Sequence, residues 1–494
     1  MVLLSLAAVA CGDDGDGDGD ASADTGGNED TGNPGDATGE DTEVPPPGEQ
    51  LHVVYTRRET TNLPDIPDRT QLMVTNEECR ASNPDLCDPG SCDAPVEIEP
   101  RTESEPLCET TCLVTPALDY VVFIDSESAT TLRYAPIGGD FQLTSDSAVI
   151  TTGLVDFRVG GNIVAYRDDL AVRIFNLEDG TDTEVGDLGA SGGFYISDDG
   201  SQLFLNRVTS LTAMQISQYD VASGSENVLY QFIAGEEQGT GSFFSGREPM
   251  ALSPDGTHLA VLTAGRTSSN LCAEDTDCSG GYSCLTNAVP ARCVRQELVL
   301  SVINLEQVDL LGGPCTSDND CGAGHECDMS APTEEGDGEC MAAQTFLGPS
   351  GPQACAQLTS GQYARWRDGF AWRNNNEVMA LLFHECSGQN IPVTDVVAIN
   401  WTNDAIDRVI ENPGQPHGGC VDSVEQCYDT DRCNIEISQL AVSPSGGTIA
   451  LIADSYTSTA KNELWMADAY GRLGKEPMTR SIDFEIGSVQ LIER

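Results

Sequence analysis

Lysine is almost missing from this 494-residue chain. Lys461 and Lys475 are the only two, and Arg supplies the rest of the 24 basic side chains that stand against 80 Asp and Glu. A formal charge of −56 excludes nucleic acid as a partner, because a phosphate backbone would meet repulsion over most of the surface. Histidine is scarce, with five residues in all: His52, His258, His325, His384 and His417. None sits in an HExxH metal motif or near a recognisable acid-and-nucleophile pattern, and no phosphate-binding or dinucleotide-binding glycine loop occurs. Aromatic residues make up 6%, and helical periodicity is hard to find. What the chain has in quantity is Gly (50), Pro (25) and Cys (19), a composition of many turns and of oxidised sulfur.

Residues 1–10 form an apolar stretch too short to cross a hydrocarbon core of about 30 Å, and it ends in small residues before Cys11. Ala8-Val9-Ala10-Cys11 resembles a bacterial lipobox, with Ala8 where Leu is commoner and no Lys or Arg ahead of the apolar run. The resemblance implies cleavage before Cys11 and a lipid on its thiol, so export and anchoring to the outer membrane, on its periplasmic or surface face. Residues 11–50 then read as a disordered tether. They are rich in Asp, Glu and Gly without one basic residue, so they cannot bury enough apolar surface to offset ordering entropy.

Without Cys11, eighteen cysteines remain, an even number compatible with disulfides. Two groups repeat one another. Cys272, Cys278, Cys284 and Cys293 are spaced C-x5-C-x5-C-x8-C, and Cys315, Cys321, Cys327 and Cys340 are spaced C-x5-C-x5-C-x12-C; both share C-x-x-D-x-D-C-x-x-G-x-x-C. Segments this short (272–293 and 315–340) cannot build a core, so crosslinks must order them, each closed loop contributing about 3 kcal/mol. Zinc is disfavoured, since paired C-x2-C clips are absent and carboxylates lie between the thiols. The spacing resembles the Dickkopf-type cysteine-rich modules of secreted proteins. Within each module three pairings are open, and first-to-third with second-to-fourth is the expected one. Five cysteines in 51–117 (Cys79, Cys87, Cys92, Cys108, Cys112) and five later ones (Cys355, Cys386, Cys420, Cys427, Cys433) predict a bond between the two groups or a free thiol.

From residue 118 the chain alternates short β-branched and aliphatic runs with Gly, Asp, Asn and Ser. Ser197-Asp198-Asp199-Gly200, Ser253-Pro254-Asp255-Gly256 and Ser443-Pro444-Ser445-Gly446 each predict a tight hairpin, in which a short polar side chain closes a local hydrogen bond and Gly accepts positive φ. The strands that follow, such as His258–Thr263, are apolar on both faces, so they are sandwiched between neighbouring sheets. These turns resemble those of the TolB-like, WD-repeat-like β-propellers, though no Trp-Asp dipeptide closes a blade. The resemblance implies an all-β propeller over 118–494. Six blades are expected, at 118–145, 153–190, 193–235, 248–348, 369–412 and 438–480, with residues 488–492 completing the first sheet. Seven is the alternative, using residues 51–55. The two cysteine modules, inserted after the second and third strands of one blade, are expected to leave from opposite rims.

Chemistry is harder to find. Gly189-Ala190-Ser191-Gly192-Gly193 is the one G-x-S-x-G match, in a loop with no following helix. One stretch departs from the acidic background: Arg365, Trp366, Arg367, Trp372 and Arg373 place an aromatic row and a cationic row on an extended strand, provided Asp368-Gly369 does not break the phase. Such rows can stack on sugar faces and hold carboxylates. The expected function is therefore non-catalytic, a lipoprotein held at the membrane that binds an envelope protein or glycan through a propeller rim or axial mouth. No cofactor or metal is expected. The alternative is a hydrolase or lyase with an axial site assembled from several blades.

Overall fold

The computed structural model describes residues 51–59, 69–76, 96–98, 111–125, 128–169, 171–188, 192–210, 213–233, 250–263, 267–271, 273, 283–285, 292–294, 299–329, 338–345, 365–385, 392–403, 405–410, 435–455, 462–468 and 484–493. Cys11 and the acidic tether lie outside these residues.

Each hairpin predicted from a Ser-x-x-Gly turn is present, and the side chains show why. In Ser253–Thr257 the Gly256 amide donates to the Ser253 carbonyl (2.8 Å) with Gly256 at φ +72°. Ser253 Oγ donates to Asp255 (2.6 Å) and accepts from the His258 amide (2.9 Å), while Asp255 also accepts from the Thr257 amide (3.0 Å). Ser197, Asp199 and Gly200 repeat the arrangement, and in the third turn Ser445 takes the place of the Asp. Burial by itself would raise Asp199 and Asp255, but the hydrogen bonds they accept outweigh it and hold both carboxyls below the usual range.

Each of these turns joins the first and second strands of an antiparallel sheet. Seven such sheets follow one another: blade 1 (Phe484–Glu493, Leu51–Glu59, Arg69–Asn76, Val96–Glu97), blade 2 (Cys112–Val114, Tyr120–Ile124, Leu132–Pro136, Ala148–Thr151), blade 3 (Leu154–Gly160, Ile163–Asp168, Ala171–Asn176, Asp182–Asp187), blade 4 (Gly193–Ile196, Gln202–Ser210, Ala213–Asp220, Ser225–Ile233), blade 5 (Met250–Leu252, His258–Thr263, Val299–Asn304, Gly338–Thr345), blade 6 (Arg365–Asn374, Glu377–Glu385, Pro392–Asn400, Ala405–Ile410) and blade 7 (Ile435–Val442, Thr448–Ser455, Glu463–Asp468).

Seven apolar clusters show how the sheets stack. Residues of odd and even parity on one strand go to different neighbours: Leu259 and Val261 pack against blade 4, whereas Ala260 packs against blade 6. Every consecutive pair of blades shares such a cluster. The last, built on Val53, Tyr55, Ile452, Leu464 and Ile486, joins blade 7 to blade 1 and closes the ring. The first strands touch one another in succession from blade 2 through blade 7 to Phe484–Glu493, and Gln490 completes the circuit by accepting the Val114 amide at 2.9 Å, so the first strands line the axis.

The ring thus has seven blades, the alternative count, and residues 484–493 do not complete the sheet at 118–145. That sheet has four strands of its own. The C-terminal strand pairs with Leu51–Glu59 along its length, so the ring begins at Leu51, ahead of the boundary expected at 118. The physical reason is a vacant inner position: Leu51–Glu59, Arg69–Asn76 and Val96–Glu97 run outward in chain order and need an inner partner that only the far end of the chain supplies.

Candidate ligand-binding site

On the axial wall the innermost strand of blade 3 is irregular. Leu154 opposes Asp168 and Asp156 opposes Arg167, so Val155 is an extra residue and forms a bulge. Leu154 and Phe157 are buried, but Val155 keeps 52% of its surface open, an unusual position for an apolar side chain next to a propeller axis. Arg158, opposite Ala165, faces blade 4, where its guanidinium stands 5.9 Å from the centre of the Phe194 ring. Its Nη1 donates to Asp156 (2.8 Å) and to the Phe157 carbonyl (2.7 Å). Arg167, diagonal to Arg158 across the strand pair, donates through Nη1 to the Gly192 carbonyl of blade 4 at 3.1 Å. The Nε–H of each arginine is buried without a partner among the described residues. Among the described residues Asp156 thus pairs with Arg158, while Arg167 reaches only the Gly192 carbonyl, in a chain where acids outnumber bases more than threefold. Such an arrangement can take a further anionic oxygen.

No known family model and no curated protein matches the sequence. Among solved structures, the chain is similar to TolB from Acinetobacter baumannii (11% identity, 89% of this chain and 66% of that one, TM-score 0.34) and to the β-propeller domain of the Trilobed protease from Pyrococcus furiosus (13%, 68% and 75%, 0.35). It is also similar to dipeptidyl peptidase 4 from Porphyromonas gingivalis (10%, 75% and 53%, 0.37). Likenesses of this size speak to neither ligand nor reaction; the propeller is read from its own sheet order and closing cluster.

The aromatic and cationic rows expected in blade 6 are divided by the structure. Arg365 and Trp366 oppose Phe383 and Leu382, and a register shift between Trp366 and Phe370 turns Asp368-Gly369 into an irregularity within one strand. The side chains of Arg365, Trp366 and Arg367 lie outside the described residues. Trp372 is taken up by packing: it is buried against blade 5 and its Nε1 donates to the Ala251 carbonyl at 2.8 Å. Arg373 pairs with Glu377 of its own hairpin at 3.4 Å. Arg158 and Arg167 escape a sequence search because each looks like a polar position on an alternating strand. The one available signal is Asp156-Phe157-Arg158, two opposite charges two residues apart on an axial strand.

In the second cysteine module Cys315 bonds to Cys327 and Cys321 to Cys340, the first-to-third and second-to-fourth pairing. The repeated D-x-D is architectural here. Asp318 accepts the Cys327 amide (2.8 Å) and Asp320 accepts the amides of Thr316 (2.9 Å) and Ser317 (3.1 Å). The sulfurs of Cys315, Cys321 and Cys327 lie within 4.8 Å of one another, a crowding that the two disulfides explain. The module follows Asn304 and extends its sheet by pairing His325–Asp328 with residues 339–342, while the first module follows Thr263, the opposite end of the blade. In that first module Cys284 opposes Cys293 across two short strands, as Cys327 opposes Cys340 in the second. Cys272, Cys278 and the side chains of Cys284 and Cys293 lie outside the described residues, as do all but Cys112 of the two five-cysteine groups; Cys112 is disulfide-bonded. Gly193 of the G-x-S-x-G match opens a β-strand, the wrong context for a nucleophile elbow.

His325 fastens this module to blade 5. It is buried, its Nε2 accepts the Asn304 amide (3.3 Å), and its Nδ1 lies 3.2 Å from the Cys321 carbonyl. Both contacts are made by a neutral ring protonated on Nδ1. Burial lowers its pKa, and the nearby His258 lowers it further against the opposing effect of the Cys321 carbonyl. Burial also lowers His258, opposed by Asp255 and Glu306. A folded pKa below the unfolded value of about 6.5 means that the unfolded chain binds the proton first, so this stability is complete above that pH and is lost as pH falls through the folded values. Urea midpoints should therefore fall between pH 7.5 and pH 5, and His325→Gln should flatten the slope; an unchanged slope would show that the ring is not the titrating group.

Proposed function

We propose that this protein is a non-catalytic binding module of the bacterial cell envelope, held to the outer membrane by a lipid on Cys11 and recognising a protein or glycan through the axial mouth or rim of its propeller. The observation that carries this reading is the bulged axial strand of blade 3, which sets the open Val155 beside Asp156 and two arginines on a wall fixed by its neighbours. A ring in which every sheet is clamped between two others offers a rigid surface, so a ligand meets preorganised groups and less ordering entropy opposes binding. Export is supported by the disulfides Cys315–Cys327 and Cys321–Cys340, which suit an oxidising compartment. Among the described residues no helix is long and apolar enough to cross a membrane, and the proposed anchor is the lipid.

Arg365, Trp366 and Arg367 belong to the proposed recognition surface at the start of the innermost strand of blade 6. A glycan array probed with the intact protein should retain ligands that the Arg365→Ala, Trp366→Ala, Arg367→Ala triple variant loses. Equal retention by both proteins would remove that stretch from the surface. Labelled fatty acid should enter the wild-type chain and not Cys11→Ala; no incorporation into either would end the anchoring proposal.

A further inference from the structure

We infer that the seam between blades 3 and 4 is a carboxylate-binding site, and that its ligand is the C-terminal end of a peptide whose last residue is small and aliphatic. The inference rests on the binding role proposed above and names the chemistry of that surface. Three features lead to it. The first is charge: Asp156, Arg158 and Arg167 share one face of two paired strands, and the carboxylate on that face, bonded to Arg158 at 2.8 Å, leaves Arg167 with only the neutral Gly192 carbonyl as partner among the described residues. In a chain of charge −56, two arginines on one face of an inter-blade seam are a local concentration of positive charge. A carboxylate ligand arriving there is attracted by the arginines and accepts their remaining N–H donors.

The second feature is shape. The bulge at Val155 pushes an isopropyl group into the open, 52% exposed, one residue from Asp156. A terminal carboxylate carries its last side chain on the adjacent carbon, so an anion bound by Arg158 or Arg167 brings a small aliphatic group within reach of Val155. The third is rigidity: Arg158 is held by Asp156, by the Phe157 carbonyl and by the Phe194 ring, so little side-chain entropy opposes binding. Acidic sugars share the carboxylate but present hydroxyls where Val155 offers an apolar contact, and the peptide terminus is the better match.

The probe is N-dansyl-Gly-Ala-Val as the free acid and as its C-terminal carboxamide, titrated into the full-length protein by fluorescence anisotropy, with N-acetylmuramic acid as competitor. The acid should bind about tenfold or more tightly than the amide, as expected when a charge-assisted pair is lost. Arg167→Gln should bring the acid to the level of the amide. Because Arg167 also supports the Gly192 carbonyl, Val155→Asp serves as a second variant: it alters an exposed side chain, leaves the packing alone, and should abolish binding of the acid by repulsion. Acid and amide affinities within about twofold would leave the binding role standing and overturn the carboxylate site. The site is equally overturned if neither probe binds, if Val155→Asp binds the acid normally, or if N-acetylmuramic acid binds where the peptide does not.

Discussion

Removing residues 484–493 is expected to leave a chain that no longer folds. This strand carries Ile486, Leu491 and Ile492, all buried, and pairs with Leu51–Glu59 from end to end. It lies between two core clusters, with Ile486 and Leu491 packed toward blade 7 and Ile492 toward blade 2. Three buried aliphatic side chains contribute roughly 5–9 kcal/mol of transfer free energy, and a whole domain has a net stability of about 5–15 kcal/mol. Loss of the strand also strips partners from the backbone of Leu51–Glu59 and opens the sheet in which residues from the two ends of the ring pair. The truncated protein should elute as aggregate, without a cooperative urea transition. A synthetic peptide of residues 484–494 added during refolding should restore part of the transition. Cooperative unfolding of the truncated chain with an unshifted midpoint would show that closure by this strand is not what holds the ring.

The second large effect separates two glycines that look alike in the sequence. Gly256 and Gly446 occupy the same place in their turns and have nearly the same φ, +72° and +74°. Alanine at either position must adopt the left-handed region, at about 1–2 kcal/mol. The surroundings differ. A Cβ at Gly256 meets nothing within 4 Å, whereas one at Gly446 would overlap the Arg373 carbonyl oxygen, part of the backbone of blade 6. Moving a strand held between two blades adds a further penalty of roughly 1–3 kcal/mol. Gly256→Ala should therefore lower stability by about 1–2 kcal/mol and Gly446→Ala by about 2–5 kcal/mol in urea titrations. Equal losses would mean that blade 6 yields locally and the turns are not tied to one another.

That difference belongs to a belt that turn chemistry alone does not reveal. The Gly161 amide of blade 3 donates to the Asp198 carbonyl of blade 4 (2.7 Å), the Asp255 amide of blade 5 donates to Asn375 of blade 6 (3.2 Å), and the Ser445 amide of blade 7 donates to Glu493 of blade 1 (2.9 Å). The turns at Ser197, Ser253 and Ser443 are written locally, in a Ser, a short polar residue and a Gly. Which neighbour each docks on follows from the stacking of whole sheets.

The same division runs through the candidate sites. Four cysteines and two aspartates at fixed spacing announce the second module, because loop closure and capping act over a few residues, and Asp318 and Asp320 do bind amides within that loop. Trp372 is different. Its parity with Trp366 suggests a shared open face, but a large aromatic on an inner strand gains more from burial in the next blade, where the Ala251 carbonyl meets its N–H.

The local grammar of this protein was settled by the sequence alone: turns at Ser197, Ser253 and Ser443, strands apolar on both faces, and a crosslinked knot at 315–340, all of them short-range or periodic features. Blade number, the partner of residues 484–493, the burial of Trp372 and the diagonal placement of Arg158 and Arg167 on a strand pair bulged at Val155 were decided only in three dimensions. Each depends on strand pairing or sheet stacking between distant segments, and the free energy of such contacts exists only once the ring has closed.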